Sequence, residues 1–167
     1  MHPETRPTRP QLIVISGHAG SGKTSLATAL AAELHLPLLS KDVIKEALFD
    51  SLGWHDRAWS QLLGVAAITV LFRQLEVFVA NGHGCMVESI FRRDLDSPRF
   101  RDYGARYGLQ LIAIQCVAPG AILVDRVRAR VAVGVRHPGH VDHAWQRNRQ
   151  RCSMLRHGRR WISAGRC

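Results

Sequence analysis

Residues 11–142 predict an α/β fold, a parallel sheet with helices on both faces. Three observations carry that prediction. Short apolar runs alternate with helix-length segments along the chain. The first run, Leu12-Ile13-Val14-Ile15-Ser16, is β-branched and stops at a glycine loop. The segment after the loop, Ser25 to Leu34, is rich in Ala and Leu, which are strong helix formers.

The remaining elements follow in order. Pro37-Leu38-Leu39-Ser40 reads as a short second strand. Asp42 is placed to cap a helix opening Asp42-Val43-Ile44-Lys45-Glu46. Arg57 to Ala80 predicts a long helix, with Trp59, Leu62, Leu63, Ala66, Val70 and Phe78 on its apolar side and Asn81-Gly82 as its stop. Cys85-Met86-Val87-Glu88 is a third strand and Leu109 to Val117 a fourth, closed by Pro119-Gly120. Ala121 to Ala132 is a helix carrying Arg126, Arg128 and Arg130. Beyond Val141 no apolar run of strand length appears, so a fifth strand is not evident.

Gly17-His18-Ala19-Gly20-Ser21-Gly22-Lys23-Thr24 matches Gly-x4-Gly-Lys-Thr in full, between a predicted strand and a predicted helix. Glycines let the backbone turn tightly and bring N–H groups to phosphate oxygens. The helix N-terminus adds partial positive charge. Lys23 is the ammonium for the β- and γ-phosphates, and Thr24 offers a hydroxyl to magnesium. Gly17, Gly20, Ser21, Gly22 and Ser25 complete the candidate nucleotide-binding set. His18, a loop histidine, is given no role. No Asn-Lys-x-Asp guanine reader is present and the dinucleotide fingerprint needs other spacing, which leaves ATP as the nucleotide.

The chain resembles the small P-loop kinases of the zeta-toxin, chloramphenicol phosphotransferase and polynucleotide kinase group, often labelled AAA family ATPases. The resemblance rests on that loop, on Leu39-Ser40-Lys41-Asp42-Val43-Ile44-Lys45-Glu46, on Val87-Glu88-Ser89-x-Phe91-Arg92, and on Arg126-x3-Arg130 followed by Arg136-His137-Pro138-Gly139-His140. It implies strand order 2-3-1-4-5 and transfer of the ATP γ-phosphate, with Mg2+, to a small hydroxyl acceptor. In such enzymes the acid after strand two takes the acceptor proton or joins the magnesium shell, the place Asp42 holds; its other reading is a helix cap. Glu88 ends strand three, either as a magnesium- or water-orienting acid or as a glutamate pointing to solvent. Arg126 and Arg130, four apart on one helix face, are lid arginines or a solvated basic face. His137, His140 and His143 fit a lid loop better than a metal site. Trp54, His55 and Trp59 are assigned to core packing ahead of substrate stacking.

The net charge of +10 is concentrated at one end. Residues 1–120 carry 12 Lys/Arg against 11 Asp/Glu, whereas residues 121–167 carry 11 Arg against Asp125 and Asp142. His143 to Cys167 holds seven arginines, two tryptophans and two cysteines, and no lysine or acid. It reads as a basic tail, truncated, frame-altered or disordered, or as an arm for nucleic-acid phosphates, the less favoured partner. Residues 1–10, with Pro3, Pro7 and Pro10 and no apolar h-region, read as a disordered lead-in and not as a signal peptide. The apolar run Leu62 to Phe72 falls short of the roughly 20 residues a membrane span needs. Cys85, Cys116, Cys152 and Cys167 show no zinc or disulfide spacing, which suits a reducing cytoplasm. The reading is therefore a cytoplasmic ATP-dependent kinase; its alternatives are a nucleotide-binding regulator or impaired remnant, and a nucleic-acid end kinase.

Overall fold

The computed structural model describes residues 9–134 and 136–140. The two centre strands are apolar on both faces because helices cover both. In β1 (Gln11–Gly17) every residue after Gln11 is buried. The helix α1 (Lys23–Leu34) follows the loop, then β2 (Leu38–Ser40), α2 (Lys41–Leu52) and α3 (Arg57–Ala80). After β3 (Cys85–Ser89), buried throughout, come α4 (Arg93–Tyr107), β4 (Gln110–Cys116), α5 (Gly120–Ala132) and a 3-10 turn at Pro138–His140.

All pairings are parallel, in the order β2-β3-β1-β4. These are the first four places of the order the resemblance implies. The place of a fifth strand and the tail 143–167 lie outside the described residues, as do residues 1–8 of the lead-in. The register sets Glu88 opposite both Ile15 and Ser40, and Gly17 opposite Cys116. The carboxyl ends of the strands thus meet along one edge, where open α/β sheets bind ligands.

Each sheet face has its own core. Leu12, Val14 and Val87 pack with Leu71, Phe72, Leu75 and Val79 of α3 and with Phe100 and Tyr103 of α4. Ile13, Ile15 and Met86 pack with Ala27 of α1. Cys85 and Cys116 are free thiols, and burial pushes Cys85 up to about 12, as befits a core thiol.

Two expectations need correction, and one helix is added. The buried side of α3 is Ser60, Leu63, Ala67, Leu71, Phe72, Leu75 and Val79, so of the six residues assigned to its apolar side only Leu63 is fully buried. This helix is apolar nearly all round, which leaves the 3.6-residue period without contrast. Its length and composition would also allow a membrane span, but here one side lies in the core while Leu62, Val65 and Val77 face outward. Trp54 and Trp59 are not core residues: Trp54 is exposed, and Trp59 closes the α2–α3 turn by donating Nε1–H to the Gly53 carbonyl at 3.0 Å. The helix α4 was not predicted at all. Its sequence is charged and holds Pro98, and it buries only Ser97, Phe100 and Tyr103 along one side. Asp96 secures its start by accepting from the Arg92 N–H at 2.6 Å.

Candidate active site

The nucleotide half of the site is built by the turn from β1 into α1. Gly22 occupies the N-cap position of α1 at φ +88°, a left-handed conformation that favours glycine, and supplies no side-chain cap. The first N–H groups of α1 are therefore left for a ligand, with the helix dipole behind them. Gly20 packs against α5 so closely that a Cβ would lie 2.7 Å from the Leu123 carbonyl oxygen. On the same contact Arg126 Nη1 donates to the Gly20 carbonyl at 3.3 Å, tying α5 to the loop. Arg130 lies one turn further along α5, half-buried.

Glu88 does not point to solvent. It is 1% exposed, and three groups converge on its carboxylate. Ser40 Oγ donates to Oε2 at 2.7 Å, Thr24 Oγ1 donates to Oε1 at 3.3 Å, and Lys23 Nζ stands 3.5 Å from Oε1. A buried carboxylate needs such partners, since an uncompensated charge out of water costs several kcal/mol, on the order of 3–5 when one partner is removed. Ser21 Oγ is also buried and has no hydrogen-bond partner. Gly17 lies against it, because a Cβ at Gly17 would fall 2.5 Å from that oxygen. Ser25 is exposed in the first turn of the helix.

The second half of the site is the start of α2. Asp42 is not the cap of this helix. Strand β2 runs into α2 without a loop, so Ser40 takes the N-cap place in an extended conformation and gives its hydroxyl to Glu88. Asp42 lies in the first turn, where the dipole favours an anion. Burial works to raise its pKa, but Lys41, then His140, Lys23 and Arg136 hold it below the usual carboxylate value. Lys41 Nζ is 3.6 Å from Asp42 Oδ1.

Residues 136–140 clasp the outer side of α2. His137 stacks on Phe49 with ring centroids 5.0 Å apart, and His140 meets the same ring edge-on at 5.6 Å. Gly139 lies on Phe49 with no room for a Cβ, which would fall 2.7 Å from the ring. The Gly139 N–H donates to His137 Nδ1 at 3.0 Å, so that nitrogen is unprotonated and Nε2–H faces Asp50 Oδ1 at 3.2 Å. His140 Nε2 faces Glu46 Oε1 at 2.8 Å, and burial, then Arg136, lower its pKa against the pull of Asp42 and Glu46. Each of these two histidines is thus turned toward a carboxylate of α2; His143 lies outside the described residues.

Sequence reasoning missed Lys45, which is buried and donates from Nζ to Ser60 Oγ at 2.8 Å, and the Glu46–His140 and Asp50–His137 contacts. A buried lysine inside an amphipathic helix looks like any surface lysine until the facing helix is in place. A glycine in the middle of a long apolar helix was the available signal: Gly64 sits opposite Lys41 and Lys45.

Comparison with known proteins fits this geometry. The AAA domain family matches residues 12–155. A candidate kinase from Chloroflexus aurantiacus j-10-fl, known from its crystal structure, is 46% identical over 80% of this chain and 72% of its own, with a TM-score of 0.76. A structure from the PezAT chromosomal toxin–antitoxin system of Streptococcus pneumoniae shares the fold at 16% identity and a TM-score of 0.56, over 86% of this chain and 62% of its own. A search among curated proteins finds no match. The chain belongs to the AAA domain family of P-loop kinase-like proteins.

Proposed function

We propose that this protein is an ATP-dependent phosphotransferase that moves the γ-phosphoryl group of ATP to a hydroxyl of a small acceptor. The observation that carries the reading is the convergence of Lys23, Thr24 and Ser40 on buried Glu88, at the strand ends and next to Asp42. A nucleotide fits the loop chemically. The orphaned Ser21 hydroxyl gains an acceptor, and the N-terminus of α1 and Lys23 meet negative charge. Magnesium would be held by the Thr24 hydroxyl with Glu88 and Asp42 directly or through water, and it supplies neutralisation of phosphate charge.

The acceptor hydroxyl gives its proton to the Asp42 carboxylate as its oxygen bonds to the γ-phosphorus. The bridging P–O bond breaks, and ADP leaves with that electron pair. Asp42, held ionised by Lys41, His140, Lys23 and Arg136, is a weak base. That suffices where positioning and charge stabilisation carry most of the catalysis. Lys23, Arg126 and Arg130 stabilise the charge that spreads over the transferring group, and α5, packed on the loop at Gly20, helps to keep water out. Free thiols and the absence of cysteine pairs among the described residues suit a cytoplasmic setting. A small acceptor is preferred over nucleic acid, because residues 1–120, which carry the loop, Asp42 and Glu88, hold 12 Lys/Arg against 11 Asp/Glu and are not strongly basic.

The test is transfer from γ-labelled ATP to a panel of sugars, hydroxy acids, amino alcohols and nucleosides. Magnesium-dependent labelling of at least one, reduced roughly 100-fold or more in Asp42→Asn, is the expected result. Magnesium-ATP binding without transfer to any of them would instead favour a nucleotide-binding regulator.

A further inference from the structure

Ser40 does not make the bond its position calls for. It takes the N-cap place of α2, where a serine ordinarily accepts from an N–H of the first helical turn. Here it makes no such cap bond and donates to Glu88 Oε2 at 2.7 Å, with both residues buried. The strand register makes this contact: Ser40 and Glu88 are partners on neighbouring parallel strands, so their side chains share one face. Diverting a cap costs the helix stability, and local rules are broken in this way chiefly at functional sites. The two oxygens of Glu88 are also held unequally. The Ser40 bond has the usual length for a hydroxyl donor. Thr24 Oγ1 at 3.3 Å and Lys23 Nζ at 3.5 Å, both on Oε1, lie beyond the usual range. The terminal torsion of a glutamate is broad and has no sharp minimum of its own. Ser40 is therefore the group that fixes which oxygen turns to β2 and which to the phosphate loop.

We propose that Ser40 is a positioning residue for the magnesium site. It holds Glu88 Oε2 so that Oε1 stays turned to Thr24 and Lys23, whose looser contacts give way when a magnesium nucleotide binds. The inference rests on the nucleotide reading of the loop and needs no acceptor. Among the described residues the Ser40 hydroxyl bonds to Glu88 alone, so it acts through that carboxylate. A hydroxyl behind a metal-binding carboxylate matters for the metal and little for the phosphates, which meet Lys23 and the N–H groups of the loop. Ser40 also opens α2, so the residue that orients Glu88 sets the strand end from which Asp42, two residues on, enters the site.

The test titrates ATP by calorimetry into the full chain, once in EDTA and once at saturating magnesium. The ratio of the two dissociation constants is the readout, and in the parent magnesium tightens binding. In Ser40→Ala that gain falls by about tenfold or more, the usual cost of removing the partner behind a metal ligand, while magnesium-free binding keeps its parent value. Ser40→Gly also lacks the hydroxyl but suits an N-cap; it gives the same result and stands in if Ser40→Ala does not fold. Ser40→Thr keeps the hydroxyl and restores the gain. In a Glu88→Gln background, Ser40→Ala changes the ratio no further, because the two act as one unit. A merely structural serine would weaken binding equally with and without magnesium. That outcome would overturn the proposal, as would a full magnesium gain in the hydroxyl-free variants, a Ser40→Thr as impaired as Ser40→Ala, or a further loss in Glu88→Gln. A parent that binds ATP with no gain from magnesium would overturn it too, while leaving the phosphate loop standing. A folded parent that binds no ATP under either condition would overturn the nucleotide reading, and this one with it.

Discussion

The two halves of the site handle charge in opposite ways. On the nucleotide side, Lys23 and Glu88 are both buried, paired at 3.5 Å and reinforced by Thr24 and Ser40, so little charge is left unanswered. Around Asp42, the side chains of Lys41, Arg136 and His140 share a partly open space in which Lys41 and Asp42 both keep contact with water. A closed, balanced cluster ties stability to function, because each member holds another out of water. A more open one separates the two, because water can answer a charge that loses its partner. Substitutions in the first region are accordingly expected to cost stability, and those in the second to change binding and pH response.

The sharpest way to break this contrast is Glu88→Ala. It strands Lys23 and leaves the Ser40 and Thr24 hydroxyls without their acceptor, and the expected loss is about 3 kcal/mol in urea unfolding. A loss near zero would show that the cluster is not structural. Gly139→Ala comes next. Its methyl would overlap Phe49, and about 2 kcal/mol is expected from overpacking or release of the clasp. Faster hydrogen exchange at residues 136–140, with β1 unaffected, would locate the damage there. Gly64→Ala is expected to act in the other direction. The added methyl meets its neighbours at ordinary contact distance, and helix propensity then gives a gain of about 1 kcal/mol, read as a higher Tm.

The smallest effect expected is in pH dependence. Burial, then Arg136, hold His140 below its ordinary value of 6.5 in the fold. The unfolded chain therefore takes up a proton at this histidine before the folded chain does. Stability is full above about pH 6.5 and declines as pH falls toward the lower folded value. In His140→Gln that decline between neutral and mildly acid pH is expected to be shallower than in the parent, by the difference in unfolding free energy at pH 7 and pH 5. An unchanged slope would mean that His140 does not couple to folding.

The same contrast explains what could be read from the sequence. The strand Gln11–Gly17, the loop and α1 are contiguous, and glycine spacing, lysine and threonine report their geometry locally. The bounds of α3 were equally legible, because Asp56 caps one end by accepting from the Trp59 N–H and Asn81-Gly82 stops the other. Which side of α3 is buried was not, since Val65, Val70 and Val77 are as apolar as Leu71 and Leu75. Glu88 stayed ambiguous for a related reason: its three partners come from residues 23, 24 and 40, and only strand order brings them together. The clasp joins residues 46–50 to 137–140, a pairing no local pattern encodes. The helix α4 escaped because its three buried residues are set among charges and a proline.

The central claim is that Lys23, Thr24 and Glu88 form a working magnesium-nucleotide site. Calorimetric titration of ATP into the parent chain and into Lys23→Ala, with and without magnesium, tests it most directly. The account predicts magnesium-dependent binding in the parent that is lost in Lys23→Ala. A folded parent chain that binds no ATP, or a Lys23→Ala variant that binds it as tightly, would contradict it.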